Sequence, residues 1–248
     1  MLTIKIKKAF LHLILSSFFI TVLLGVIFLV WYPPPFLESS GLKEILFIVL
    51  AIDLILGPLL TLIVYKPNKP SLKFDLFFII MMQATALIYG IYTIHQGHPV
   101  YVAYTVDRFT LINFKDSVLD QVQEPSLKST GLWKPKFVYV KLPNDQEKLA
   151  QITFEVLSGK PDIDSRPEYY KPFEEYKNEI LKGGIDPQKI LSKKENKKLL
   201  NQFLSSYGKN ADNYAFLPLS GKEVDVLWAW DRASGDPVDI LAINPWTL

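Results

Sequence analysis

The residue with the most distinctive chemistry is Asp53, an acid in the middle of a long apolar segment, residues 42–65. A charged side chain at that depth in a bilayer costs about 2.5–3.5 kcal/mol on insertion scales, so such a residue usually faces protein or water. Gly57 and Thr61 follow at the fourth and eighth positions after it, which puts all three residues on one helix face. Because small and polar residues allow close approach and hydrogen bonds between helices, this face predicts a contact with another helix.

A neighbouring apolar segment, residues 74–94, offers partners for this face. In a helical hairpin Gln83 lies within about one turn of the depth of Asp53, and Gly90 provides a further small contact site. Pro58 has no amide hydrogen to donate, so a kink or a loosened turn is expected just after Asp53. The candidate partner-helix contact is the following set: Asp53, Gly57, Pro58, Thr61, Gln83 and Gly90.

Three roles for Asp53 remain open. It holds the hairpin in register through hydrogen bonds, it belongs to a site for another protein's transmembrane helix, or it is part of a proton or ion pathway. A single acid in three apolar segments makes a poor relay, which disfavours the pathway.

Other residues that could carry catalysis or bind a metal are few. The chain has no cysteine and three histidines, and it contains no G-x-S-x-G, H-E-x-x-H or P-loop pattern. Asp162 and Asp164 form an acidic pair of a kind that binds metal and sugar nucleotide in some glycosyltransferases, but prolines around them indicate a turn. We therefore predict no catalytic residue, no cofactor and no metal, and a binding or assembly protein rather than an enzyme.

Three apolar segments must position the polar residues: residues 10–30, 42–65 and 74–94. Each has about 20 residues, enough to cross a hydrocarbon core of roughly 30 Å. The first segment is longer than the apolar part of a cleaved signal peptide and ends in Trp-Tyr-Pro-Pro-Pro, which favours an uncleaved anchor. We therefore predict a membrane domain over residues 1–96.

Lysines predict the orientation of these segments. They cluster before the first segment and between the second and the third: Lys5, Lys7, Lys8, Lys66, Lys69 and Lys73. By the positive-inside rule both clusters face the cytoplasm, so everything after the third segment is exported. This predicts a protein of the bacterial inner membrane with a cytoplasmic N-terminus and a periplasmic C-terminal domain. The net charge of +2 is too small to imply a nucleic-acid partner.

The exported residues 97–248 alternate between strand and helix patterns. Strands are predicted over residues 100–109, 137–141, 214–219, 224–230 and 238–243. Helices are predicted after Asn144, over residues 172–181, and after a capping box formed by Ser192 and Glu195. The order indicates an α+β domain with a small antiparallel sheet. Trp228 and Trp230 share one strand face, either as a core pair or as a candidate docking surface.

Several stretches resemble the type IV pilin accessory proteins of the TfpX/TfpZ family, to which the FimB-type fimbrial assembly proteins are similar. They are densest from residue 31 to residue 109 and include WYPPP at 31–35, DLILGPLLTL at 53–62, SLKFD at 71–75 and VDRF at 106–109. The resemblance implies a protein encoded beside a major pilin that influences pilin stability, assembly or surface piliation. It implies no enzymatic activity and no cofactor.

With the resemblance, the expected function is that of an accessory or chaperone-like protein of type IV pilus biogenesis. The hairpin face around Asp53 would pack on the apolar helix of the major pilin, and the exported domain would engage the pilin head. An envelope enzyme that modifies pilin or glycan and a small membrane transport component are the alternatives. The oligomeric state, and whether piliation rises or falls, are not predicted.

Overall fold

The computed structural model describes residues 2–248, which form two compact units. The helical unit comprises residues 2–30 and 42–97, and the sheet unit comprises residues 31–41 and 98–248. The prediction from the sequence was a single membrane domain over residues 1–96. Residues 31–41 therefore lie in a different unit from the one predicted.

Three helices in the described part of the chain are long and apolar enough to cross a membrane by length and composition. These are the first, second and third apolar helices: Leu2–Trp31, Lys43–Val64 and Leu72–Gly97. The first begins at Leu2 rather than near residue 10, because the lysine-bearing segment before the apolar run continues the same helix. The last turn of the first helix, Ile27–Trp31, is π-helical.

The second apolar helix changes its winding around Asp53. It consists of an α-helical, a π-helical and a second α-helical segment: Lys43–Leu50, Ala51–Leu56 and Gly57–Val64. Pro58 stands at the start of the last segment and lacks the amide hydrogen that would continue the α-helical ladder. The Gly57 amide donates to the Ile52 carbonyl, five residues back. The loosened turn predicted from Pro58 is thus a π-helical segment that contains Asp53.

The sheet unit is built on one seven-stranded sheet. Its strands are β1 Pro99–Thr105, β2 Arg108–Asn113, β3 Lys136–Val140, β4 Tyr170–Pro172, β5 Tyr214–Ser220, β6 Val226–Asp231 and β7 Pro237–Leu241. They lie in the order β4-β3-β1-β2-β5-β6-β7. The pairs β1–β3 and β2–β5 are parallel, and the other neighbours are antiparallel. The predicted small antiparallel sheet is therefore wrong, because the long connections after β2 and β4 bring later strands back in the parallel direction.

The predicted strand over residues 100–109 is in fact the hairpin of β1 and β2. The chain reverses at Val106 and Asp107, where Val106 has a φ of +57° and the Asp107 amide donates to the Thr105 carbonyl at 2.6 Å. A β-branched residue rarely adopts a positive φ, so Val106 itself gives no indication of a turn.

The helices of the sheet unit also differ from prediction in two places. The helix Gln146–Leu157 is present as expected, but residues 172–181 form only two short helical turns, Phe173–Glu175 and Lys177–Ile180. Ser192 does not cap the helix Lys194–Tyr207. Its hydroxyl instead donates to the Lys189 carbonyl at 2.6 Å, at the end of a short helix, Pro187–Leu191, that the sequence did not predict.

Apolar side chains cover both faces of the sheet. β1 and β6 are buried at every position, which explains their almost continuous apolar sequence. Trp228 and Trp230 are each 2% exposed, and their rings lie 5.2 Å and 5.4 Å from that of Phe109. They form a core pair, so the alternative of a docking surface at these two residues is wrong.

Residues 31–41 contribute to this core through Phe36. The segment contains a cis peptide bond between Pro34 and Pro35, followed by a short helix, Phe36–Ser39. Phe36 is 3% exposed, and its ring centroid lies 5.6 Å from that of Trp228 and 6.5 Å from that of Phe137. The Lys222 amide donates to the Ser39 carbonyl at 2.9 Å. The segment is therefore an integral part of the sheet unit.

Replacing Phe36 by alanine should destabilise the sheet unit by about 3–5 kcal/mol, because it leaves a cavity between aromatic rings. All five tryptophans lie in this unit, so tryptophan fluorescence during denaturant unfolding reports its stability. Glu38→Ala, at an exposed position two residues away, is the control and should stay close to wild type. Equal midpoints for the two variants would contradict the role assigned to Phe36.

Candidate functional site

A groove of about 500 Å³ runs along the helical unit. The second apolar helix packs against both other apolar helices and contributes the polar floor residues Asp53 and Thr61. The first and third apolar helices supply the walls, which are mainly apolar: Leu11, Leu15, Phe19, Leu76, Ile80 and Leu87. A mainly apolar groove with a few polar groups at its base has the usual form of a binding site.

The floor of the groove contains a contact between Asp53 and Gln83. These side chains are 5% and 9% exposed, and Gln83 Nε2 donates to Asp53 Oδ1 at 3.3 Å. The two remaining oxygens, Asp53 Oδ2 and Gln83 Oε1, have no hydrogen-bond partner within residues 2–248. The contact therefore joins the second and third apolar helices and leaves hydrogen-bonding capacity unused.

A separate polar contact joins the first and second apolar helices. His12 Nδ1 lies 2.6 Å from Thr61 Oγ1, a hydrogen bond whose direction depends on the tautomer of the imidazole. Close to it, Lys5 Nζ donates to the Ile63 carbonyl at 3.3 Å. Thr61 is eight residues from Asp53, so the two polar contacts lie about 12 Å apart along the second helix.

The structure places the six predicted contact residues in three different roles. Asp53, Thr61 and Gln83 line the groove. Gly57 lies against the Gln83 side-chain amide, and Gly90 lies against Val49, so both glycines serve the packing of the second helix on the third. Pro58 acts through the winding of the second helix, as described above.

Sequence reasoning did not include the first apolar helix in the site. His12 and Ser16, one helical turn apart, both line the groove. They are polar residues at positions i and i+4 of a mainly apolar segment, which is the same signal that identified Asp53 and Gly57. That spacing could have placed them on one face, but it could not have told which helix the face meets.

The acidic pair of the sheet unit has a local structural role. Asp162 Oδ1 accepts a hydrogen bond from the Ile163 amide at 2.6 Å and caps the short helical turn Ile163–Ser165. The Asp164 carbonyl accepts a hydrogen bond from the Tyr170 hydroxyl at 2.7 Å, and burial raises the pKa of the Asp164 carboxyl above its usual range. No cluster of three or more potential metal ligands occurs among the described residues.

Comparison with known proteins identifies the family. A family model described as fimbrial assembly protein FimB matches residues 2–41. The fimbrial assembly protein of serogroups C1 and C2 from Dichelobacter nodosus is 35% identical over 120 residues, which are 48% of this chain and 92% of that relative. The chain belongs to the FimB family of fimbrial assembly proteins. The resemblance seen in the sequence is thereby confirmed.

Two longer relatives match only in part. The D. nodosus fimbrial assembly proteins of serogroup I and serogroup E1 are 36% and 35% identical to the chain over 120 residues. The matched region covers 47% of each, so the chain spans about half the length of these relatives. No solved structure matches the chain significantly.

Replacing Gly90 by alanine should weaken the packing of the second and third apolar helices. A Cβ atom at this position would lie 2.5 Å from Val49 Cγ2, and the branched valine has little freedom to move away. We expect a loss of about 1–3 kcal/mol, seen as a lower melting temperature of the purified protein in detergent.

Gly25→Ala is the matched control, because a Cβ atom there meets nothing within 4 Å. Both substitutions raise helix propensity, so the control should be neutral or stabilising. A melting temperature for Gly90→Ala at or above that of Gly25→Ala would show that the close contact is unimportant.

Proposed function

We propose that the chain is an accessory protein of type IV pilus assembly that binds the apolar helix of the major pilin within the bacterial inner membrane. The observation that carries the proposal is the groove between the first and third apolar helices, with apolar walls and the buried polar residues Asp53 and Gln83 at its base. Membership of a family of fimbrial assembly proteins supports a role in pilus assembly.

A groove is a suitable form for this task because of the forces that act between helices in lipid. The bilayer is as apolar as a leucine side chain, so helices associate through close packing and hydrogen bonds rather than through the hydrophobic effect. A helix lying between two walls packs on both at once. The groove thus offers a pilin helix more contact than a single flat helix face does.

Residues 31–41 support the proposed orientation. Their packing in the same unit as residues 98–248 requires both segments to lie on one side of the membrane. Two crossings between them, by the second and third apolar helices, satisfy that requirement. Together with the positions of the lysines, this favours a cytoplasmic N-terminus and a periplasmic sheet unit, which would engage the pilin head.

A photoreactive amino acid at Leu87, which lines the groove, should crosslink to the major pilin in cells. At the neighbouring Ile88, which is 67% exposed and does not line the groove, it should give lipid adducts and no pilin crosslink. The measurement is the crosslinked pilin detected after denaturing purification. Absence of pilin from both positions, or equal amounts at both, would refute binding in the groove.

Filling the groove should block pilin binding without unfolding the protein. Ala84 lines the groove on the third apolar helix, and Ala84→Phe should lower the amount of pilin that copurifies by about fivefold or more, because the added ring occupies the space of the bound helix. Thr85→Phe introduces the same ring at an exposed position outside the groove and should copurify pilin normally.

Two further measurements sharpen this test. An unchanged melting temperature of the Ala84→Phe protein separates a blocked groove from a damaged fold. The intact mass of the pilin, equal with and without the chain, favours an accessory role over an enzyme that modifies pilin.

A further inference from the structure

The Asp53–Gln83 contact leaves two buried oxygen atoms without a hydrogen-bond partner, and a molecule bound in the groove could supply one. Asp53 Oδ2 and Gln83 Oε1 are buried and have no hydrogen-bond partner in the described chain, although both side chains line the groove. Exchanging the oxygen and nitrogen of the Gln83 amide does not remove the problem, since one polar atom of Gln83 and Asp53 Oδ2 remain unpaired in either orientation. Buried polar groups without partners are costly and therefore rare in folded proteins.

Lipid cannot complete this contact. The hydrocarbon chains of a bilayer offer no hydrogen-bond donor or acceptor, and Asp53 lies near the middle of the Lys43–Val64 helix, far from either headgroup layer. A purely apolar helix in the groove would also leave both atoms unpaired. A helix in the groove can supply the missing partner only through a polar side chain at the same depth.

The second polar contact of the groove, between His12 and Thr61, is already hydrogen-bonded within the chain. His12 and Thr61 hydrogen-bond to each other at 2.6 Å, so the Thr61 hydroxyl is already paired within the chain. Among the buried groove-lining side chains of residues 2–248, the unpaired polar atoms are Asp53 Oδ2 and Gln83 Oε1, about 12 Å away along the helix. A helix that binds in the groove therefore needs no polar group at the depth of Thr61, whereas a polar group at the depth of Asp53 would complete the hydrogen bonding.

We infer that the groove selects a transmembrane helix that carries one hydroxyl or amide side chain at the depth of Asp53. These groups both donate and accept, so they pair with Asp53 Oδ2 whether or not the carboxyl holds a proton and with Gln83 in either amide orientation. They are also less costly in lipid than a charged side chain. The inference rests on the proposed function only in taking the occupant to be a helix.

The test uses the full chain in lipid nanodiscs and synthetic transmembrane peptides of leucine and alanine with lysine ends. One central position carries leucine, serine or asparagine. The chain has no cysteine, so Ile88→Cys, outside the groove, accepts a single fluorescent label that reports peptide binding by energy transfer. Serine and asparagine peptides should bind about three- to tenfold more tightly than the leucine peptide.

Position and variant controls decide whether Asp53 is responsible. Moving the asparagine eight residues towards the cytoplasmic end of the peptide, to the level of Thr61, should remove the gain. Asp53→Leu and Gln83→Leu should each reduce the preference while the leucine peptide still binds, and Asp53→Asn should retain it. Equal binding of all peptides to the wild-type chain, or a preference independent of guest position, would overturn the inference without relying on any variant that fails to fold.

The two proposals fail separately. If pilin crosslinks at Leu87 but the peptides show no preference, the inference is wrong and the proposed function stands. If the peptides show the preference but pilin does not crosslink, the groove binds a different polar-bearing helix and the proposed function is wrong.

Discussion

A buried hydrogen bond between Asp53 and Gln83 joins the second and third apolar helices of the helical unit. It sits where the second apolar helix is π-helical, and close packing of Gly57 on Gln83 and of Gly90 on Val49 brings the second and third helices together beside it. In a medium without water such a contact has few competitors, so in the proposed membrane environment it would favour one register of the two helices. Asp53 and Gln83 also line the groove, so the contact between the two helices and the groove share these residues.

Hydropathy predicted the three apolar helices because bilayer thickness imposes their length, and counting along a hairpin brought Gln83 close to Asp53. The residues that form the walls of the groove could not be predicted from the sequence. Which faces of the first and third helices meet the second depends on packing between residues distant in the chain, and alternation of polar and apolar residues carries no information about the partner. His12 and Ser16 were visible as polar breaks, yet only the fold brings them to the same groove as Asp53.

The sheet unit shows a similar division. Most strands were predicted close to their observed positions, since alternation and β-branched residues mark them locally. The pairing of the strands was not predicted. β1 pairs with β3 and β2 with β5 in parallel, and this pairing depends on long connections of irregular structure. The turn at Val106 was not predicted, because β-branched residues rarely adopt the positive φ that Val106 has in this turn.

The packing of Phe36 against Phe137 and Trp228 has a consequence for the synthesis and membrane insertion of the chain. Phe36 is synthesised before the second and third apolar helices, whereas Trp228 follows both of them in the chain. The aromatic core therefore cannot close until both helices have been made, because it unites segments that lie before and after them. In the proposed topology it cannot close if one of the two later helices fails to cross the bilayer, so the sheet unit forms only when the two helices cross together. A chain with a missed crossing would leave Phe36 and Trp228 on opposite sides, with an open core that quality-control proteases can recognise.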